Sequence, residues 1–375
     1  MRAAASIALT GLLLACPAAR AQEQPVQAAT RAAGPDVEAG LRWLASKQSA
    51  TSGSWGNNNK LAVTGMAGLA LLASGSTPQR GPYAASIRRA VQFVLRSQRA
   101  EEGRRKAFWD PSNGYSAIHN HGYALLFLTQ AYGEGGPLDD ELRQAITRGV
   151  QATVESQYTP AQGKSDGGFG YFLFHHIPRA HQHMWRWDEA STTISQIQAL
   201  RGARNAGFTV PRRALERAGD YIARSRHEAT GGFHYSIGST PPRVSFVEGS
   251  DEPTFAITAA CTAVLHALGT YQGPVVESGI AYMERSAPPT AGKKVPFYYY
   301  AHYYAAQVFH MLPGPRGQRW LQAIRAELSE RQRPDGRWPN DPEDTLAEED
   351  SELLNTAWAL QVCLIDRGTL PLHER

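Results

Sequence analysis

Two kinds of helical segment alternate along this chain from residue 36 onward, and that alternation restricts its fold more than any other feature. Segments of the first kind are amphipathic, as in Pro211–Arg226, where Leu215, Ala218 and Ile222 make one apolar stripe among charged neighbours. Such a helix needs a partner on one side only. Segments of the second kind are small and apolar around their whole circumference, as in Leu61–Ser74 and Phe255–Leu268. These must be enclosed by protein. The pattern predicts amphipathic helices near 36–48, 83–98, 138–157, 211–226, 274–286 and 316–332, and apolar ones near 61–74, 119–132, 190–204, 254–269, 298–312 and 351–366. Six such pairs predict an all-α fold, an (α/α)6 toroid of helical hairpins. Closing the ring covers every inner helix and leaves no end repeat in need of a cap. An open superhelix of helix pairs usually repeats every ~34 to ~47 residues, whereas Gln48 and Gln98 stand 50 apart, which favours the ring. Gly paired with an aromatic marks the hairpin turns at Gly53–Gly56, Gly167–Gly170, Gly231–His234 and Gly336–Trp338; glycine lets the chain reverse and the ring fills the gap between hairpins.

The chain divides into a leader (1–21), a linker (22–35), the toroid (36–366) and a C-terminal tail (367–375). Met1-Arg2, the apolar run Ala3–Ala15 and Ala19-Arg20-Ala21 have the layout of a secretory signal peptide cut before Gln22, so the expected destination is periplasmic or secreted. Leu13-Leu14-Ala15-Cys16 also resembles a lipobox, which would leave a lipoprotein anchored at Cys16. No stretch reaches the ~18 apolar residues of a membrane span. Beyond the leader only Cys261 and Cys363 remain, which excludes a disulfide framework but leaves one bridge open. The 38 Lys and Arg against 34 Asp and Glu give +4; without Arg2 and Arg20 the balance is 36 against 34, or +2. Nothing there calls for nucleic acid.

Arg42-Trp43-Leu44-x3-Gln48-x4-Gly53-x-Trp55 resembles the QW repeat of the triterpene (squalene-hopene) cyclases, with partial copies at Phe93–Gln98 and Gln332–Trp338. Gly231-Gly-Phe233 is similar to the repeat of protein prenyltransferase β subunits, and Phe297–Gln307 ahead of Trp320-Leu321 looks like the last repeats of exported bacterial proteins with prenyltransferase/squalene-oxidase repeats. The resemblance spans roughly residues 36–366. It implies the six-hairpin toroid of that superfamily, with an isoprenoid or another ligand in a central cavity. The cyclase Asp-x-Asp-Asp acid motif is absent; Asp341-Pro-Glu-Asp344 and Glu248-Gly-Ser-Asp251-Glu252 come nearest. Of the prenyltransferase zinc set, Asp251 matches the aspartate and His302 resembles the histidine, but Pro253 stands where the thiolate belongs.

The starts of the inner helices face one end of such a ring, which gathers His119, His121, Asp188, Glu189, Asp251, Glu252, His302, Glu349 and Asp350 into a rim. Helix capping alone accounts for carboxylates there; a site for a polar ligand would need several of them to converge. Within that rim the expected acids are Asp251, Glu252, Asp188 and Glu189. Trp185 and Trp187, in a loop with His175, His176, His181 and His183, suit stacking on a sugar or covering an apolar ligand, and packing explains them as well. Tyr298, Tyr299, Tyr300, Tyr303 and Tyr304 give one inner helix an aromatic face for carbohydrate or for a cationic intermediate. The expected ligand contacts are thus Trp185, Trp187, Tyr298, Tyr299, Tyr303, His119 and His121. A divalent metal enters through Asp251 and His302 for zinc, or through the acid-rich stretch Asp341–Glu352 for calcium. A non-catalytic carbohydrate-, peptide- or envelope-binding module, and a metal-dependent enzyme or lyase, stand beside the isoprenoid reading.

Overall fold

The computed structural model describes residues 34–98, 106–113, 116–175, 188–238, 252–286, 289, 295–340 and 348–374. Twelve α-helices are found among them. The outer ones are α1 (Val37–Ser46), α3 (Ala84–Ser97), α5 (Asp139–Ser156), α7 (Arg212–Arg224), α9 (Pro274–Ser286) and α11 (Pro315–Arg331); the inner ones are α2 (Lys60–Ala73), α4 (Ala117–Ala131), α6 (Ala190–Asn205), α8 (Phe255–Ala267), α10 (Tyr298–Met311) and α12 (Glu348–Leu364). Each predicted segment is found within a few residues of its place. The only extended pairing among the described residues is a single bridge between Arg226 and Phe233.

The inner helices pack in sequence order and α12 packs back against α2, so the ring is closed. All of α2 from Leu61 to Ala73 is buried. Close approach is what its glycines provide: a Cβ on Gly65 would lie 2.5 Å from the Tyr123 carbonyl oxygen of α4. Outer helices bury one face in the grooves between inner helices, α3 between α2 and α4 and α1 between α12 and α2.

One hydrogen-bond device recurs at the turns. Gln48, Gln98, Gln157 and Gln332 follow the outer helices, and each amide nitrogen donates to two carbonyls, one in its own turn region and one in the next outer segment: Gly53 and Ser86, Lys106 and Ala145, Gly167 and Ala214, Gly336 and Asp36. The last pair joins the turn after α11 to the N-cap of α1, and Asp36 N returns a bond to Gln332 Oε1 at 2.8 Å. In the fourth unit Arg226 takes this place and donates to Ser278 Oγ. The turn aromatics then fix the inner helices: the amides of Trp55, Phe169, Phe233 and Trp338 donate to Thr64, Thr193, Thr258 and Thr356.

Residues beyond α12 close the opposite end of the ring. Leu370, Leu372 and His373 are buried, Leu372 N donates to Gln130 Oε1, and Thr369 Oγ1 to Ala73 O. The segment read from sequence as a tail is packed as a floor. No helix among the described residues is long and apolar enough to cross a membrane.

Candidate functional site

Two hydrogen bonds divide the lumen. Tyr123 OH of α4 meets Tyr304 OH of α10 at 3.3 Å, and Gln198 Nε2 of α6 donates to Gln307 Oε1 of α10 at 2.7 Å. Because α4 and α10 stand three places apart in a ring of six, the tyrosine pair spans it. The central cavity expected from sequence is therefore crossed by side chains, with the mouth at the N-terminal ends of the inner helices on one side and, on the other, a pocket lined by Gln198, Arg201, His266, Gln307, Leu372 and Glu374 among others. From the start of α4 to Tyr123 is under two turns, so the tyrosine pair lies about 10 Å along the axis from the helix starts.

Glu189 sits in that mouth as the N-cap of α6, 4% exposed. Its place is set by the backbone: Glu189 N donates to Phe169 O and Ala190 N to Tyr235 O, which pin the start of α6 between two neighbouring turns. Ser191 Oγ donates to Glu189 Oε1 at 2.7 Å. His119 Nε2 lies 3.0 Å from Ser191 Oγ, and His119 Nδ1 lies 2.7 Å from Ser116 Oγ. Since the Ser191 proton points at Glu189, the network assigns the imidazole proton to Nε2 and leaves Nδ1 an acceptor for the Ser116 hydroxyl. Burial pushes the Glu189 carboxyl up to about 7, with Tyr171 and Ser191 opposing and the Asp188 charge adding to the rise. Burial also holds His119 down at about 4, so it is neutral at pH 7. Around this chain stand the partly exposed rings of Tyr171 and Tyr235, whose hydroxyls meet at 3.1 Å, and of Tyr300, packed on Tyr304 and Trp358.

Asp188, next in sequence, is placed otherwise. Its Oδ1 accepts from Ser165 Oγ, Ser236 Oγ and Gly238 N, and its Oδ2 from Tyr221 OH and Ile237 N. Five donors occupy both oxygens, so this carboxylate holds the turn entering α8. Asp350 acts alike across the seam, accepting from Asn57 N and Asn58 N at 2.9 Å each.

The remaining sequence candidates scatter. His121 is fully buried in the wall, where Nδ1 accepts from Phe108 N and Nε2 meets Gly149 O and Thr153 Oγ1; it occupies the position that threonine fills in four other units. His302 is buried between α8, α10 and α11, with Nδ1 on Tyr298 O and its ring stacked on Trp320. Tyr298 turns toward α11, where the Arg331 guanidinium lies 3.7 Å over its ring; Tyr299 and Tyr303 are buried as well. Glu252 is exposed. Asp251, Trp185, Trp187, His181, His183 and Asp341–Asp344 lie outside the described residues. Among the described residues no three His, Cys, Asp or Glu side chains are grouped to hold a metal ion. Of the rim, then, the structure brings together Glu189 and His119. Ser191, which connects them, Ser116 on the far side of the imidazole, and Tyr171 and Tyr235 carried no sequence signal beyond the Ser116–His119 and Glu189–Ser191 spacings.

No family model matches the chain, and no curated protein matches it. Solved structures do. The GH76A α-1,6-mannanase of Salegentibacter sp. HEL1_6 is 10% identical with a TM-score of 0.62, covering 88% of this chain and 98% of its own. An inactive variant of that mannanase, with two neighbouring aspartates changed to asparagine, in complex with α-1,6-mannotriose, gives the same values. The type II terpene cyclase MstE from Scytonema is 16% identical with a TM-score of 0.55, covering 89% and 97%. All share the α/α toroid with this chain, and at such identities the likeness is one of fold.

Proposed function

We propose that the mouth at the N-terminal ends of the inner helices binds a carbohydrate chain, in the exported compartment to which residues 1–21 point. The observation that carries this reading is the setting of Glu189. A buried carboxyl that burial pushes up to about 7 stands at the start of an inner helix beside the partly exposed rings of Tyr171 and Tyr235. Those rings offer stacking faces and hydroxyl edges to a sugar. The toroid shared with an α-1,6-mannanase supports it. Titration calorimetry with α-1,6-mannotriose, preceded by a glycan array, tests it. We expect saturable binding to at least one oligosaccharide class, weakened about tenfold or more by Tyr171→Ala with Tyr235→Ala, at about 0.5–1.5 kcal/mol per aromatic contact. A folded protein that binds no glycan on the array would overturn the reading.

A second reading rests on the packed rings of Tyr300, Tyr304 and Trp358, of which Tyr300 feels the charge of Glu189. An acid near packed aromatic rings suits an isoprenoid, and the terpene cyclase that shares the fold has geranylgeranyl dihydroxybenzoate as its substrate. The tyrosine bridge limits how much polyene could be shielded from water. Organic extraction of the purified protein followed by mass spectrometry separates the two, because a stoichiometric isoprenoid would favour this second ligand.

A further inference from the structure

We infer that Ser116 and His119 form a nucleophile and general-base pair for acyl transfer, with Ser191 and Glu189 as positioning residues behind the imidazole. The substrate class would be an ester, such as an O-acylated sugar. This goes beyond glycan binding and does not depend on it.

The geometry is that of an activated serine. Ser116 Oγ lies 2.7 Å from His119 Nδ1, and the far ring nitrogen lies 3.0 Å from Ser191 Oγ, which in turn donates to Glu189 Oε1 at 2.7 Å. Nucleophile, base and orienting group thus follow one another within hydrogen-bond reach, the arrangement that acyl-transfer sites of unrelated folds share. Because the tautomer puts the proton on Nε2, Nδ1 is free to take the hydroxyl proton. Ser116 and His119 are both partly exposed, so a substrate can reach them. His119 is held in place by its neighbours, with Tyr171 and Tyr123 at 6.2 and 6.4 Å between ring centres. Ser116 is also the N-cap of α4, and its side chain makes no capping bond to the helix. The positive end of the helix dipole therefore begins where an oxyanion would form. A serine serving only as a cap would spend its oxygen on a first-turn amide; this one meets the imidazole.

In the first half-reaction Ser116 Oγ bonds to the ester carbonyl carbon as its proton passes to His119 Nδ1. The resulting tetrahedral oxyanion collapses, the bond to the alkoxy oxygen breaks, and His119 returns the proton to the departing alcohol. Water then repeats the sequence on the acyl-serine and releases the carboxylic acid and free Ser116. The imidazolium present between these steps is stabilised by Glu189 acting through Ser191 where Glu189 is ionised, above about pH 7. No metal, oxidant or reductant enters.

The test is covalent labelling of the folded mature protein with a fluorophosphonate, read by intact mass and peptide mapping. One adduct on Ser116 is expected. Ser116→Ala should lose it, and His119→Gln, which fits the same space but cannot take the proton, should slow it at least a hundredfold, within the range for a general base. Ser191→Ala should slow labelling and shift its pH profile, and Ser191→Thr should restore both, which separates positioning from simple loss of packing. Circular dichroism and a thermal melt establish that each variant is folded. An unlabelled wild-type protein, or an adduct that persists in Ser116→Ala, overturns the proposal. Neither outcome bears on glycan binding, since the probe carries no sugar.

Discussion

Replacing Glu189 with glutamine removes a buried acid while keeping its shape and its acceptor for Ser191, so the variant isolates the cost of ionising one carboxyl in the mouth. In the folded chain this group titrates near 7, against an ordinary value of 4.5. The native state therefore holds the proton more tightly than the unfolded state does. Below about pH 4.5 both states are protonated and the group contributes no pH-dependent term. As pH rises from 4.5 to 7 the unfolded chain ionises first, and wild-type stability falls with a slope of about 1.4 kcal/mol per pH unit, near 3 kcal/mol in all. Above 7 the loss is complete. Glu189→Gln escapes it, so the variant should match wild type near pH 4 and exceed it by about 3 kcal/mol at pH 8. Urea denaturation at half-unit pH steps gives both curves, and their difference removes the contributions of other titrating groups that do not contact Glu189. A difference that stays flat from pH 4 to 8, or that favours wild type at pH 8, would refute the claim that this carboxyl is held protonated by burial.

Three further substitutions test the frame around it. Asp188→Asn replaces a carboxylate that accepts from five donors by an amide whose NH2 must face some of them; with buried charge-assisted bonds worth about 1.5–3 kcal/mol each, a loss of about 3 kcal/mol is expected by denaturant titration. Gln332→Ala removes three bonds at the seam between Asp36 and Gly336 and should cost about 1–2 kcal/mol at this partly exposed position, with hydrogen exchange rising first at α1. Gly65→Ala places a Cβ 2.5 Å from the backbone of α4; overpacking of this kind costs about 1–3 kcal/mol, seen as a lowered melting temperature.

The fold was legible because its determinants are periodic. A helix such as Leu61–Ala73, apolar on every side, has no stable place at a surface, and six of them alternating with one-sided helices admit few arrangements. The turn signature could be read as well, since the Gln, Gly and aromatic of Gln48, Gly53 and Trp55 recur at Gln157, Gly167 and Phe169 and at Gln332, Gly336 and Trp338. The bridging of the central cavity by side chains was not legible. Whether Tyr123 and Tyr304 meet across the lumen depends on the radius of the ring and on two rotamers, and neither leaves a trace in periodicity. His121 misled for a related reason: a histidine can replace a threonine as acceptor for a turn amide, and one sequence gives no sign that the other units use threonine there until the fold aligns them.

Asp188 and Glu189 show most plainly where residue type stops being informative. They are adjacent carboxylates at the start of one helix, equal candidates by composition and by capping propensity. What separates them is the supply of donors. Asp188 points into the turn before α8, where two backbone amides and three hydroxyls converge on it, and a carboxylate so satisfied has no lone pair left for a ligand. Glu189 caps α6 with its side chain buried, and Ser191 donates to one of its oxygens. Burial outweighs the opposing effect of Tyr171 and Ser191 and pushes this carboxyl up to about 7. The ring thus treats neighbouring side chains of like chemistry differently: one ties a turn in place through five donors, and the other is held near neutrality by burial.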